Sequence, residues 1–188
     1  SANIYPFTPL YFLFKDKYLT KKDPQKAEST IVKFSSYLRS NMDSLTQKEP
    51  ITFEKELDHV KNYAEIEKIR FGDRLNIEYD VEVTDFSIPP LTLQPIVENA
   101  IKHGVTQKAE GGTVTVKTWE TASYNIICVK DDGVGFNVNE KKNDGRSHIG
   151  VTNIQKRLDV MLNASIEIES EIGVGTTVTI KIPKKENE

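Results

Sequence analysis

Residues 93–104 read L-Q-P-I-V-E-N-A-I-K-H-G, and the spacing within this stretch organises the reading of everything around it. At about 100° of turn per residue, Leu93, Ile96, Val97, Ala100 and Ile101 collect on one helix face, while Glu98, Asn99, Lys102 and His103 fill the opposite one. The first face seeks a core. The second offers a carboxylate, an amide, an ammonium and an imidazole. By itself the stretch is either an amphipathic helix with a solvated polar face or the wall of a polar site.

Just upstream, Leu75, Ile77, Tyr79, Val81 and Val83 alternate in the manner of a strand, and Pro89-Pro90 breaks that run. Downstream, Gly111-Gly112 precedes two strand-like runs, residues 113–119 and 124–130. A polar loop follows over 131–147, then a helix over about 151–162 and two last strands, 165–169 and 176–182. Before residue 75 the pattern is helical. A helix is expected after Pro9, a second from Asp23-Pro24 with Ile31, Phe34, Leu38 and Met42 turned inward, and a third from Thr52 to about Arg70. The third would bury Leu57, Val60, Ala64 and Ile69 and stop at Gly72. Helices first and then a mixed, mainly antiparallel sheet with helices on one face make an α+β protein. Residues 1–74 form the helical packing or dimerisation region and residues 75–188 the α/β-sandwich domain.

Composition narrows the classes. The chain has 188 residues, 28% of them charged, and a net charge of −3, so nothing in the balance favours a phosphate-backbone partner, and no nucleic acid is expected. The one cysteine, Cys128, lies in the apolar run Ile126-Ile127-Cys128-Val129 and reads as a small core residue. No uncharged run reaches the 18 or so apolar residues needed to cross a bilayer. The opening Ser1-Ala2-Asn3 lacks a methionine, consistent with a soluble piece of a larger protein.

Three glycine-containing loops follow the 93–104 stretch. In Asp131-Asp132-Gly133-Val134-Gly135 the aspartate can accept a hydrogen bond from an exocyclic amine, and the glycines let backbone approach a flat ring. An acidic turn is the plainer alternative. His148-Ile149-Gly150 precedes a helix whose free N–H groups can receive phosphate. Gly173-Val174-Gly175-Thr176-Thr177 is either a tight connection between strands or a further wall of the site.

The order E-N-A-I-K-H-G, D-x-G-x-G, I-G-V-x-N-I-x-x-R-L and G-x-G-T-T resembles the N, G1, G2 and G3 boxes of the ATP-binding (GHKL) domain of sensor histidine kinases. Q-P-I-V-E-N-A, with Arg70-Phe71-Gly72-Asp73-Arg74 upstream, is similar to the LytS-type branch in particular. The resemblance implies a two-component kinase that binds ATP and Mg2+ and passes phosphate to a histidine and onward to a response regulator, with LytTR- or AraC-type output. It also implies a homodimer, a full-length protein anchored in the bacterial membrane, and this part of it on the cytoplasmic side. By the same resemblance Asn99 coordinates the metal, with Glu98 beside it as the second catalytic residue, and Lys102 and His103 lie near the phosphates. Asp131 binds the adenine amino group, Gly133 and Gly135 pass the base, and Gly173, Gly175 and Thr176 close the adenine side. Residues 137–149 form a lid with Lys141, Lys142 and Arg146 near phosphate oxygens, and Ile149 and Gly150 join it to the next helix.

Two positions depart from the family's pattern. The acceptor motif N-P-H-F-L-F-N, counted back from the Asp23-Pro24 helix start, places Phe7 where its histidine belongs, and a phenyl ring has no lone pair with which to attack phosphorus. The remaining histidines are His59, read as an exposed or capping helix residue, and His103 and His148 within the nucleotide motifs. In the wider superfamily a water-activating glutamate lies four residues before the asparagine. That position is Pro95, which cannot serve as a base and so favours phosphotransfer over hydrolysis. Two rivals to an ordinary kinase follow: an acceptor-less module using ATP as a regulatory ligand, and an interaction protein with a vestigial pocket.

Overall fold

The computed structural model describes residues 24–138 and 148–184. The helix expected after Pro9, Phe7 itself, and Lys141, Lys142 and Arg146 lie outside the described residues.

Helix α1 (Pro24–Thr46) begins with proline in its first turn, where the missing N–H is no loss. It continues a few residues past its apolar spacing and into the expected turn. Strand β1 (Ile51–Thr52) leads straight into α2 (Phe53–Phe71), whose N-cap Thr52 accepts the Lys55 N–H at 3.4 Å. Gly72, at φ +57°, ends α2 in the left-handed region that favours glycine. A single turn, Gly72–Arg74, then leads into β2 (Leu75–Val81), so the expected division at residue 74 falls at a bend in the chain. A two-residue strand, β3 (Ser87–Ile88), pairs antiparallel with β1, and Phe86 stacks on Phe53 at 4.8 Å between ring centroids. Helix α3 (Leu93–Asn99) follows.

The sheet is completed by β4 (Gly112–Glu120), β5 (Tyr124–Asp131), β6 (Ser165–Glu171) and β7 (Gly175–Pro183), with α4 (His148–Leu162) between β5 and β6. Its order is β2-β4-β5-β7-β6. Only β2 and β4 run parallel, with Leu75 opposite Gly112, and every other pair is antiparallel. The architecture is the expected α+β one with a mixed, mainly antiparallel sheet. The parallel pair needs a crossover, and residues 82–111, carrying α3, supply it.

The helices cover one face of the sheet. Leu75 and Ile77, Val114 and Val116, Ile127 and Val129, and Ile180 and Ile182 point into a core shared with Leu93, Ile96, Val97, Ala100 and Ile101 of the opening stretch. All five of those residues are buried as the helical spacing predicts. Helix α2 adds Phe53, Leu57, Val60, Tyr63, Ala64 and Ile66 to this same core, and Ile154 and Leu158 of α4 complete it. The opposite face is polar, with Lys117 paired to Asp80 and Lys181 to Glu167.

Four sequence expectations are corrected. On α1 Thr30, Phe34, Tyr37 and Ser44 are buried among the described side chains, whereas Ile31 (44% exposed) and Met42 (69%) face outward: α1 packs against α2 along a seam one position removed from the one its apolar residues suggest. On α2 Leu57, Val60 and Ala64 are buried as expected and Tyr63 and Ile66 join them, while Ile69 is only half-buried. His59 is buried on α2, neither an exposed nor a capping residue. Cys128 is half-buried: its register partners, Lys117 and Thr179, place it on the polar side of the sheet, because β5 alternates through that point.

Candidate functional site

The 93–104 stretch is not a uniform helix. After Asn99 the backbone widens into a π-helical turn, Ala100–Gly104, and then tightens into the turn Val105–Gln107. The carbonyls left over at this end find side-chain donors. The Thr106 hydroxyl reaches Ile101 O at 2.7 Å, and the Gln107 amide reaches Lys102 O at 2.7 Å. The widened turn brings the backbone of Gly104 down onto the end of β5.

There the site's buried end is built. Asp131 closes β5 and is only 4% exposed; its Oδ1 accepts the Gly133 N–H at 2.9 Å. Burial raises its pKa above the usual aspartate value, and the backbone N–H groups of Gly133 and Thr176 oppose that shift only in part. The surrounding contacts are backbone to backbone. A Cβ on Gly133 would lie 2.2 Å from the Gly104 carbonyl carbon, and one on Gly104 would lie 2.6 Å from Asp131 Oδ1. A Cβ on Gly175 would lie 2.0 Å from the Asp131 carbonyl oxygen. The loop leaving β5 runs along the β6–β7 connection: Gly173 N–H donates to Val134 O at 2.8 Å and Phe136 N–H to Ser170 Oγ at 2.9 Å. Ser170 Oγ also lies 2.9 Å from Thr176 Oγ1. Gly135, at φ +58°, could not carry a side chain without striking the Glu171 carbonyl.

The structure therefore joins Asp131, Gly133, Gly135, Gly173, Gly175 and Thr176 from loops far apart in sequence, and adds Gly104, which the spacing did not single out. Asn99 and His103 lie on the exposed side of the helix that ends at Gly104. Four residues, all in the π-helical turn, lie between Asn99 and Gly104. Ile149 and Gly150 fall within the first turn of α4, which starts at His148, three residues earlier than its apolar spacing suggests.

Glu98 and Lys102 face the other way. Glu98 Oε1 accepts from the Tyr37 hydroxyl of α1 and from the Gln94 amide, each at 2.8 Å. Its Oε2 lies 3.1 Å from Lys102 Nζ, which also sits 5.6 Å from the centre of the Tyr63 ring. Burial and then the Glu98 carboxylate push the Tyr37 hydroxyl well above its ordinary pKa, so it stays a donor. Beneath this group lies Glu67, fully buried, with Arg70 Nη1 at 3.5 Å as its near cation. Burial raises its pKa above the usual glutamate value.

Two residues that sequence reasoning passed over hold the start of α3. Glu56 of α2 is fully buried, and its carboxylate accepts the N–H groups of Leu91 (3.1 Å), Thr92 (2.9 Å) and Gln94 (3.3 Å). Arg157 of α4 donates to Pro90 O at 2.5 Å and Leu91 O at 2.8 Å. A signal for Glu56 was present. With Glu67 it falls on the apolar stripe of α2, in helical phase with Phe53, Val60 and Tyr63, and a carboxylate there must have a partner.

The donor set suits a magnesium nucleotide. The exposed Asn99 offers a neutral amide oxygen, a ligand a hard cation accepts, and the buried Asp131 offers an acceptor walled by backbone, while Lys102 is held on Glu98 on the other side of the helix. The described residues hold no group of three or more His, Cys, Asp or Glu that could bind a metal ion.

A family model described as histidine kinase matches residues 12–75, and one described as histidine kinase-, DNA gyrase B- and HSP90-like ATPase matches residues 90–186. The uncharacterized protein YwpD of Bacillus subtilis is 35% identical, over 87% of this chain and 61% of its own length. The sensor protein LytS of Staphylococcus saprophyticus is 30% identical, over 88% of this chain and 30% of its own. The chain thus spans 61% and 30% of these relatives' own lengths, less than two thirds of either. Among solved structures, the histidine kinase domain of the Erythrobacter litoralis blue-light activated kinase EL346 superposes with a TM-score of 0.56. The match covers 95% of this chain and 85% of that one at 14% identity, a likeness of fold. The chain belongs to the histidine kinase-, DNA gyrase B- and HSP90-like ATPase family, in its sensor histidine kinase branch alongside LytS.

Proposed function

We propose that this chain binds Mg-ATP between the 93–104 helix, the loop leaving β5 and the β6–β7 connection, as the catalytic part of a sensor histidine kinase. The observation that carries the reading is the buried Asp131, held by Gly133 and packed against Gly104, at the foot of the helix that exposes Asn99. Asp131 accepts from the adenine amine. Gly133, Gly135, Gly175 and Thr176 line the base, and Asn99 holds the metal.

Bound magnesium supplies charge neutralisation on the phosphate oxygens. Lys102, His103, the first turn of α4 with Ile149 and Gly150, and Arg146 supply the remaining positive potential. Glu98 stations Lys102, and release of that ion pair is what lets the ammonium reach a phosphate. Pro95 lies in the first turn of α3 and its side chain cannot serve as the base that activates water, which favours phosphotransfer over hydrolysis.

The phosphate acceptor defines the rest of the proposal. The Phe-Leu-Phe core of the family's acceptor motif recurs at Phe12-Leu13-Phe14, where the histidine kinase match begins. Read in that register the acceptor place falls at Tyr11, and counted back from the Asp23-Pro24 helix start it falls at Phe7; neither is a histidine. His59 is buried within α2 and does not replace it. The chain accordingly acts as an Mg-ATP-binding partner that does not phosphorylate itself, dimerises through its helical region (residues 1–74), and works beside a response regulator on the cytoplasmic side of a membrane.

Incubation with γ-labelled ATP tests this. ATP binding without acid-labile label on the protein is expected. Stoichiometric acid-labile labelling would overturn the acceptor-less reading and restore an ordinary kinase.

A further inference from the structure

The turn that leads into α3 is held from both sides by charge, a fully buried carboxylate and a half-buried guanidinium. Leu91 sits at φ +54°, a conformation costly for a residue with a branched side chain, and Thr92 Oγ1 closes the turn on Pro89 O at 2.6 Å. Glu56 Oε1 takes the N–H groups of Thr92 and Gln94, and Oε2 takes that of Leu91, so one carboxylate faces the positive end of α3. The guanidinium of Arg157 takes the two carbonyls immediately before it, Pro90 O and Leu91 O. Acceptor and donor come from different helices, Glu56 from α2 and Arg157 from α4. Pro89 and Pro90 donate no N–H and stiffen the turn, so the direction in which α3 leaves it is set by this clamp.

We propose that Glu56 and Arg157 are positioning residues for Asn99, fixing the axis of α3 so that the amide, about two turns further on, is aimed at the metal of the bound nucleotide. The inference rests on the Mg-ATP reading given above. Asp131 and its glycines lie on the sheet and its loops, whereas Asn99 rides on α3. Gly104, packed on Gly133, anchors the far end of the stretch to the sheet, so the clamp at its start acts on the metal-dependent part of nucleotide binding more than on the adenine-dependent part. Because its two halves belong to α2 and α4, displacement of either helix re-aims Asn99, which links the helical region to the nucleotide site through a single buried turn.

The test is a calorimetric titration of ATP in magnesium and in EDTA for the wild type, Glu56→Gln and Arg157→Lys, each checked for folding by thermal melting. Glu56→Gln puts an NH2 where one set of N–H groups needs an acceptor, and Arg157→Lys keeps the charge but cannot bridge two carbonyls. In both variants the strengthening of ATP binding by magnesium is expected to fall by about tenfold, the range typical of groups that orient a metal ligand. Affinity in EDTA should stay within about twofold of the wild type, since no adenine contact is touched. Magnesium strengthening retained in a folded variant would overturn the inference, as would parallel loss of both affinities, which is the signature of a purely structural role.

Absence of any ATP binding by the wild type would overturn the Mg-ATP reading itself and this inference with it. Should the variants not fold, hydrogen exchange on the wild type decides. Magnesium added to the ATP complex is expected to slow exchange at Leu91, Thr92 and Gln94, and unchanged rates there would refute the coupling.

Discussion

Substituting Gly133 by alanine probes the joint on which the site depends. The added methyl would start 2.2 Å from the Gly104 carbonyl carbon, 2.4 Å from its Cα and 2.6 Å from its oxygen, all backbone atoms that no rotamer change can move aside. The loop leaving β5 must therefore withdraw from the end of the 93–104 helix. Withdrawal breaks the 2.9 Å bond from Gly133 N–H to the Asp131 carboxylate, a contact to a charged group worth about 1.5–3 kcal/mol. It also strains the long contact from Val134 N–H to Gly104 O, at 3.4 Å. Overpacking of this kind costs about 1–3 kcal/mol by itself. Allowing for relaxation that lessens both, the expected loss is about 3 kcal/mol, which lowers the melting midpoint of a chain this size by about 6–12 °C.

The comparison is Gly72→Ala. Gly72, unlike Gly133, stands at positive φ, but a Cβ there meets nothing within 4 Å, so only the left-handed backbone term of about 1–2 kcal/mol applies. Thermal melting with ATP titration of both variants should show Gly133→Ala as the less stable and as having lost ATP affinity. Gly72→Ala should bind ATP as the wild type does. Equal midpoints, or wild-type ATP affinity in Gly133→Ala, would refute the claim that this backbone contact builds the nucleotide slot.

Other perturbations separate recognition from stability. Asp131→Asn keeps an oxygen for Gly133 but loses a carboxylate acceptor. ATP affinity is expected to fall by about tenfold or more and the preference over GTP to shrink, measured by competition; retained selectivity would contradict the adenine role. Lys102→Met removes a partly exposed i,i+4 pair, so the melting midpoint should move by no more than about 0.5 kcal/mol-equivalent while Mg-ATP affinity drops several-fold; unchanged affinity would leave Lys102 a partner of Glu98 alone. Burial raises the Glu67 pKa, so its stabilising protonated form is present at low pH and lost as pH rises through the folded-state value. Glu67→Gln should therefore be more stable than the wild type by about 1 kcal/mol near pH 8, the gain fading toward pH 5. A gain independent of pH would show that it does not come from the carboxylate's ionisation, and a loss at pH 8 would show that the ion pair with Arg70 outweighs the burial.

Much of this architecture was legible because the core-forming periods are strong. The buried face of the 93–104 stretch, the strands β4, β5 and β7, and the stop at Gly72 all follow from local spacing and glycine chemistry. The parallel pairing of β2 with β4 was not legible, since register across a crossover is settled by packing that no single run of residues encodes. On α1, Ile31 and Met42 mislead because an apolar side chain does not say which of two neighbouring seams its helix will bury. In the site, Asp131 and its glycines were readable as a motif, but their meeting with Gly104 was not, because the π-helical turn that brings Gly104 onto β5 has no signature in A-I-K-H-G. Glu56 and Arg157 escaped for a related reason. Their partners are backbone groups of a turn more than 30 residues away in sequence from either side chain, and sequence patterns report side chains, not the N–H and C=O groups they will meet.

The measurement that bears most directly on the central claim is a calorimetric titration of ATP into the wild-type chain and Asn99→Ala, each with magnesium and with EDTA. The wild type should bind ATP in both media and more tightly with magnesium. Asn99→Ala should bind in both media with the same, magnesium-indifferent affinity. A wild-type chain that takes up no ATP, or an Asn99→Ala variant as responsive to magnesium as the wild type, would contradict the assignment of this helix as the wall that holds the metal nucleotide.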